Sequence, residues 1–339
     1  MFWWYMRDDG HARPIRAEAK LEKLRICSAF LVGGFSRLSE VYERLLKLEG
    51  VARPLAALSR LADSLDGLCS GHGHGVSRTQ HFPHVTQPSL CVVRRAFPGR
   101  PVFGTAVSHA ILIRVAAGEL PATLRLQRPG PILAFSRQDR ASPGFEAAVC
   151  AAREGGFEPV LRLAGGRAAV FHEQTLACSW AVPDSRPMAR TTERFREMAE
   201  LLAAALGGLG IDARVGEVPG EYCPGAWSVN ARGRTKLVGI GQRLIAGAAH
   251  RGAVVVVGES ERIRQVLVPV YDALGLEWDP ATAGCVEDEI GNVNLDAVEK
   301  AILSGLGQRY QLSERELDAT TLELAARLEP DHGVGRSGA

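Results

Sequence analysis

From about residue 88 the chain alternates short apolar runs of strand length with longer stretches whose apolar residues recur at helix spacing, and this alternation limits its fold more than any other feature. Strands are predicted over 122–127, 131–136, 160–164, 168–172, 177–182, 211–215, 226–230, 236–243 and 253–257. Helices are predicted over 102–117, 145–154, 192–206, 260–274, 295–303 and 313–328. Pro269 is expected to break the helix at 260–274, because proline lacks the N–H that the ladder needs. Ser313 and Glu316 stand at capping-box spacing for the last helix. A strand-rich centre with helices around it reads as α+β: a mostly antiparallel sheet flanked by helices.

The ends of the chain read differently. Residues 37–48 and 54–68 carry apolar side chains at helix spacing, and a Gly- and His-rich stretch follows at 70–78. The expected division is an N-terminal helical appendage and linker over 1–87, a main domain over 88–275, a helical segment over 276–330 and a disordered tail over 331–339. His72, His74, His81 and His84 cluster near the linker, but no carboxylate or Cys pattern accompanies them, so a solvated loop is expected and a metal site is not. The formal charge is +2, from 40 basic and 38 acidic residues, which gives no ground for a nucleic-acid partner. The 7 cysteines are odd in number and contain no CxxC pair, so neither a disulfide framework nor structural zinc is expected and a reducing cytoplasm fits. No apolar run approaches the roughly 20 residues that span a bilayer, so a membrane association is not expected. The opening residues turn charged too quickly for a signal peptide.

Three segments carry candidate chemistry. In the first, Gly165 and Gly166 separate two strand-like runs, with Arg162 and Arg167 beside them and His172 at the end of the second run. Glycines allow positive φ and close backbone approach, so N–H groups there can hold a carboxylate or phosphate. A plain hairpin turn with solvated arginines satisfies the same spacing. In the second, Lys236 opens an apolar strand after a turn at 230–233, and Gly239 and Gln242 follow. A lysine there needs a partner or a route to water, because burying a lone ammonium is costly. Cys223 lies in a Pro-Gly loop shortly before it and is the best nucleophile candidate among the cysteines, the alternative being a half-buried small hydrophobe. The third is the turn at 247–252, with His250 at the edge of a buried strand, where it can meet a ligand or cap the turn.

Together these segments resemble the lipoate–protein ligase A and cysteine-dependent octanoyltransferase family, which shares the biotin/lipoate protein ligase catalytic fold. Gly165-Gly166-Arg167-Ala168 is similar to that family's Gly-Gly-Arg-Ala signature, Lys236 to Gln242 to its Lys-hydrophobic-x-Gly-Ser-Ala-Gln stretch with Ile240-Gly241 in place of Ser-Ala, and His250-Arg251-Gly252 to the His-Gly that opens the next strand. The likeness spans about residues 88 to 275. It implies Cys223 and Lys236 as catalytic residues. It implies Arg162, Gly165, Gly166, Arg167, His172, Gly239, Gln242 and His250 as substrate-binding.

The resemblance implies transfer of an octanoyl or lipoyl group to a lysine of lipoyl carrier domains, such as the 2-oxoacid dehydrogenase E2 component or the glycine cleavage H protein. Two chemistries follow. In the favoured one, octanoyl arrives on acyl carrier protein, moves to Cys223 as a thioester, and Lys236 stabilises the oxyanion. In the other, lipoate or octanoate is activated with ATP and magnesium as substrate, and Lys236 holds the acyl-adenylate. No tightly bound cofactor is expected in either. The first helix lacks the family's usual Asn and Asp, which motivates a rival reading as a non-catalytic acyl-binding homologue. The acyl slot is expected around Val170, Trp180 and Val238.

Overall fold

The computed structural model describes residues 87–335. Its elements in chain order are β1 (Ser89–Val93), α1 (Pro101–Ala116), β2 (Thr123–Gln127), β3 (Ile132–Phe135), α2 (Arg137–Arg140), α3 (Phe145–Glu154), β4 (Glu158–Leu161), β5 (Ala169–Phe171) and β6 (Thr175–Pro183). Then come α4 (Thr191–Gly207), β7 (Ala213–Val215), β8 (Val229–Ala231), β9 (Thr235–Ile245), β10 (Ala248–Val256) and α5 (Ser260–Leu274). The chain continues with α6 (Val286–Ile290), α7 (Leu295–Gly307), β11 (Gln311–Glu314) and α8 (Ala319–Leu328).

Eight strands form one sheet in the order β11-β1-β2-β6-β10-β9-β8-β7, and β4-β3-β5 form a second, smaller one. From β2 to β7 every neighbour pairs antiparallel, whereas β1 pairs parallel with both β11 and β2. The two-residue period of a strand sends alternate side chains to opposite faces. Leu124 and Leu126 therefore pack with Met198 and Leu202 of α4 and Ile302 of α7. Arg125 between them points the other way and donates to the Gly104 carbonyl and Ser108 Oγ of α1. The small sheet packs with α3 and α5 around Phe135, Phe145 and Tyr271.

Several sequence expectations need correction. The helix over 260–274 is not broken: α5 runs through Pro269 to Leu274, because Ile263, Val266, Leu267, Val270, Tyr271 and Leu274 are buried on both sides of the proline. Residues 313–328 are not one helix. Ser313 and Glu314 belong to β11, which pairs with β1 at the edge of the main sheet, and α8 starts later, capped by the Asp318 carboxylate accepting from the Thr321 N–H. The segment after 275 thus adds a strand to the main sheet, and the described residues 87–335 form one compact unit. Nor is 331 the start of a disordered tail. Glu329–His332 form a 3-10 turn, and His332 is buried, 3.1 Å from His109 and 2.7 Å from the Leu161 carbonyl. The expected N-terminal helices and the histidines at 72, 74, 81 and 84 lie outside the described residues. Among the described residues no helix is long and apolar enough to cross a membrane.

Candidate active site

Cys223 sits in the loop between β7 and β8 with φ of 45°, a left-handed conformation that a side chain rarely adopts. Other groups hold the strain. Its N–H donates to the Tyr271 hydroxyl at 2.8 Å, and that hydroxyl donates to the Ala168 carbonyl at 2.9 Å. Burial pushes the Tyr271 phenol well above its usual value, so the proton it donates stays on. One α5 side chain thereby ties the cysteine loop to the Gly-Gly-Arg-Ala turn.

That turn meets the thiol directly. The Arg167 backbone N–H donates to Cys223 Sγ at 3.1 Å, and Arg162 Nη2 lies 3.5 Å from it while donating to the Gly165 carbonyl at 2.5 Å. Gly166 has φ of 112°, and a Cβ there would stand 2.9 Å from Sγ and collide with the Arg162 guanidinium. Burial alone would raise the Cys223 pKa. Arg162, Lys236 and the Arg167 N–H outweigh it, and the thiol lies below its ordinary value. By contrast burial pushes Cys178 up to about 12, and Cys285 is raised as well.

Lys236 is aimed by a hairpin. Arg232 and Gly233 take positive φ in the turn between β8 and β9, and Asn230 Oδ1 accepts from the Gly233 N–H at 2.8 Å. The register shifts next to Lys236, at a bulge between Val229 and Asn230. The ammonium ends beneath the cysteine loop, 1% exposed, and donates to Glu221 Oε1 at 3.0 Å, to the Tyr222 carbonyl at 2.9 Å and to the Cys223 carbonyl at 2.7 Å. Glu221 is equally buried and also accepts from the Val218 and Gly225 N–H groups and from Ser228 Oγ. A buried ion pair needs such surrounding hydrogen bonds to offset the loss of water.

Cys223, Lys236, Arg162, Gly165 and Gly166 all line one cavity of about 560 Å³. It runs between the two sheets, past Gly239 and Gly241 of β9, Ala169 and Phe171 of β5 and Ser179 of β6. A Cβ at Gly241 would stand 3.0 Å from Ala164 Cβ, so the glycine keeps the passage open. Its size lies within the range of small-ligand sites, roughly 300–1,000 Å³.

Other expected residues fall differently. Gly239, Gln242 and His250 line the cavity. The Gln242 amide is engaged with Arg194 Nε at 3.0 Å and the Thr191 carbonyl at 2.9 Å, so it braces the wall. His250 pairs with Ser179 Oγ at 2.8 Å, and burial pushes its imidazole down to about 4, keeping it neutral. Arg167 contributes its N–H to the thiol, while its guanidinium pairs with buried Asp139 at 3.4 Å. His172 does not reach the cavity: its ring is fully buried, with Nδ1 accepting from the Gln174 N–H at 3.2 Å. Val170, Trp180 and Val238 do not line the slot either. They point into core clusters because strand alternation hands the cavity to their neighbours Ala169, Ser179 and Gly239. Sequence reading missed Tyr271 and Glu221. Tyr271 looks like any helix aromatic, and Glu221 like any loop carboxylate.

A domain that presents a thiol of lowered pKa in the wall of a largely apolar cavity has the parts for acyl-group chemistry, and the comparisons with known proteins fall in that class. Residues 100–307 match the lipoyl protein ligase A/B catalytic domain, and the chain belongs to that family. It is 28% identical over 197 residues to an octanoyl-GcvH:protein N-octanoyltransferase of Geobacillus kaustophilus, covering 57% of this chain and 69% of that one. It is 29% identical over 254 residues to octanoyltransferase LipM of Kyrpidia tusciae, covering 68% and 91%. The fold is similar to that of a bi-partite lipoate protein ligase from Thermoplasma acidophilum, with a TM-score of 0.56 at 20% identity over 72% of this chain and 92% of that one.

Proposed function

We propose that this enzyme moves an octanoyl group from one carrier protein to a lysine of a lipoyl carrier domain, by way of a thioester on Cys223. The thiolate attacks the octanoyl carbonyl carbon, the new S–C bond forms, and the donor leaves, as a thiolate from a thioester or, from an octanoyl-lysine amide, as an amine that takes a proton from solvent. The acceptor lysine amine then attacks the thioester, the S–C bond breaks, the amine loses a proton and the thiolate is regenerated. The relatives named for octanoyl transfer support this reading, and one of them names GcvH. A structural neighbour described together with an E2 lipoyl domain supports lipoyl domains as the partner class. Acyl carrier protein as donor, and glycine cleavage H protein and E2 domains as alternative acceptors, belong to the same proposal. The chemistry needs a free thiol, which suits a reducing cytoplasm.

The observation that carries the proposal is the thiol itself, held by the Arg167 N–H and Arg162 in the cavity wall and lowered in pKa. An acyl-adenylate route would ask Lys236 to meet a phosphate, yet its three N–H bonds already have partners within the protein. Among the residues assigned to substrate, Arg162, Gly165, Gly166, Gly239 and His250 keep that role in the proposal. The test is mass gain on a lipoyl domain given octanoylated carrier, with and without ATP. The expected result is ATP-independent transfer by the wild type and none by Cys223→Ser. Transfer that requires ATP and survives Cys223→Ser would refute the covalent route.

A further inference from the structure

The cavity between the two sheets is floored by residues that stand directly opposite one another on neighbouring strands. Gly241 of β9, Gly252 of β10, Ser179 of β6 and Arg125 of β2 form one row across the main sheet. Gly239, Val254, Ala177 and Gln127 form the next row, two residues along each strand. Partners in register send their side chains to the same face, and all of these residues except Arg125 line the cavity. Over β9 the floor is bare glycine, and the thiol end lies there. Gly165 donates its N–H to the Gln242 carbonyl at 3.4 Å, and a Cβ on the adjoining Gly166 would stand 2.9 Å from Sγ. Over β10 and β6, Gly252 and Ala177 leave room facing Ala134 and Ala169 of the small sheet. Past β6 the wall turns polar. Ser179 Oγ is paired with the His250 ring at 2.8 Å, Ser108 Oγ accepts from Arg125 at 3.1 Å, and Gln127 ends the second row with an amide.

We propose that the acyl chain carried by Cys223 crosses the main sheet from β9 over Gly252 to Ala177 and Ser179, and that the polar wall beyond β6 sets the accepted length at octanoyl. The inference rests on the Cys223 thioester reading and adds where the chain lies and which residues measure it. The dimensions agree. From β9 to β6 is two strand spacings, about 9.5 Å. An octanoyl chain, at about 1.2 Å per bond as in an extended main chain, reaches about 8 Å from its carbonyl carbon. Its methyl end therefore arrives at β6. A further methylene meets the Ser108 hydroxyl and the Gln127 amide, and gains none of the free energy that burial against an apolar wall supplies. Arg125 does not yield the space, since its buried guanidinium is held by the Arg95 and Gly104 carbonyls as well as by Ser108. On the other side of β9 the same cavity is lined by Phe195 and Trp227, both half-buried, so a chain lying there would keep one side in water.

The test is a ladder of saturated acyl groups, butyryl to dodecanoyl, presented on acyl carrier protein or on GcvH, with single-turnover acylation of Cys223 read by intact mass. For the wild type the second-order rate constant is expected to rise about fourfold per methylene up to octanoyl, the gain from burying one CH₂ group, and to fall beyond it. Ala177→Leu fills the floor two strand spacings from β9. It is expected to lower octanoyl acylation at least about tenfold, the usual cost of overpacking, and to leave butyryl acylation within about threefold of wild type. Gln127→Ala takes atoms away from the wall, and is expected to raise decanoyl acylation about tenfold as further methylenes become buried. Alkylation of Cys223 by iodoacetamide reports whether each variant keeps its site. Octanoyl remaining the best chain in both variants would overturn the inference, as would an Ala177→Leu loss that is equal at every length while alkylation stays normal. Should Ala177→Leu not fold, the Gln127→Ala ladder decides alone: a shift to decanoyl upholds the inference and an unshifted ladder overturns it. Failure of every acyl group to load wild-type Cys223 would instead remove the thioester reading on which it rests.

Discussion

Cys223 is held at φ of 45° by a tyrosine hydroxyl on one side and a lysine ammonium on the other, so its geometry depends on residues far away in sequence. Tyr271→Phe removes the hydroxyl that joins the Cys223 N–H to the Ala168 carbonyl. It is expected to cost about 1–3 kcal/mol in urea unfolding, since both groups lose a buried partner, and to lower the acylation rate with it. Gly166→Ala is expected to cut acyl transfer by at least about tenfold, because its Cβ would stand 2.9 Å from Sγ and the native φ disfavours any side chain. Steady-state transfer rates check it, and an unaltered rate would mean that the turn is free to move. The thiol should alkylate at a pH below that of an ordinary cysteine, and its reactivity should fall as pH drops through its depressed pKa. Much of this site was legible in sequence: Cys223, Lys236, Arg162 and the glycine pair stand in recognisable motifs. Tyr271 and Glu221 were not, because a tyrosine amid helix-spaced apolar residues reads as core until its hydroxyl is seen to reach two backbone groups.

At the scale of elements, hydrophobic periodicity found the central strands and α1, α3 and α4, since each has one face against a core. It failed where a local signal competed with tertiary burial. Pro269 signals a break, yet α5 buries residues on either side and the packing offsets the lost ladder bond, about 3 kcal/mol. Ser313 and Glu316 had the spacing of a cap, but the backbone at Ser313 is drawn into the sheet edge by β1, and Asp318 caps α8 instead. The large apolar strand residues Val170, Trp180 and Val238 suggest the slot, whereas the cavity belongs to their small neighbours. Asp318 also pairs with Arg114 of α1, so one carboxylate both starts α8 and fastens it to α1. Asp318→Ala is expected to destabilise the protein by about 1–2 kcal/mol in urea unfolding, mainly through the lost cap. Asp318→Asn, which can still accept from the Thr321 N–H, should cost less. Equal losses from both would mean that the ion pair dominates.

The whole molecule buries several histidines in neutral form. Burial pushes His109, His172 and His250 down to about 4, and His332 is lowered as well. In the unfolded chain they titrate near 6.5. Between those values the unfolded state binds protons that the folded state refuses, so stability falls as pH drops from about 6.5 toward 4. Thermal unfolding followed across that window is expected to show a falling Tm, and a flat profile would show that these rings are not held neutral. His332 adds a second consequence, because it ties the 3-10 turn at 329–332 to the Leu161 carbonyl, next to Arg162. The loss of packing at low pH should therefore reach Arg162 in the cavity wall as well as the periphery.

The proposed function depends above all on a covalent bond between the octanoyl group and one sulfur. The most direct measurement is intact-protein mass spectrometry of enzyme mixed briefly with octanoylated carrier in the absence of acceptor, followed by peptide mapping. A single octanoyl adduct is expected on the peptide containing Cys223, labile to hydroxylamine and discharged when lipoyl domain is added. Rapid transfer to the lipoyl domain with no adduct at any time, or an adduct on another residue that discharges at the rate of turnover, would contradict it.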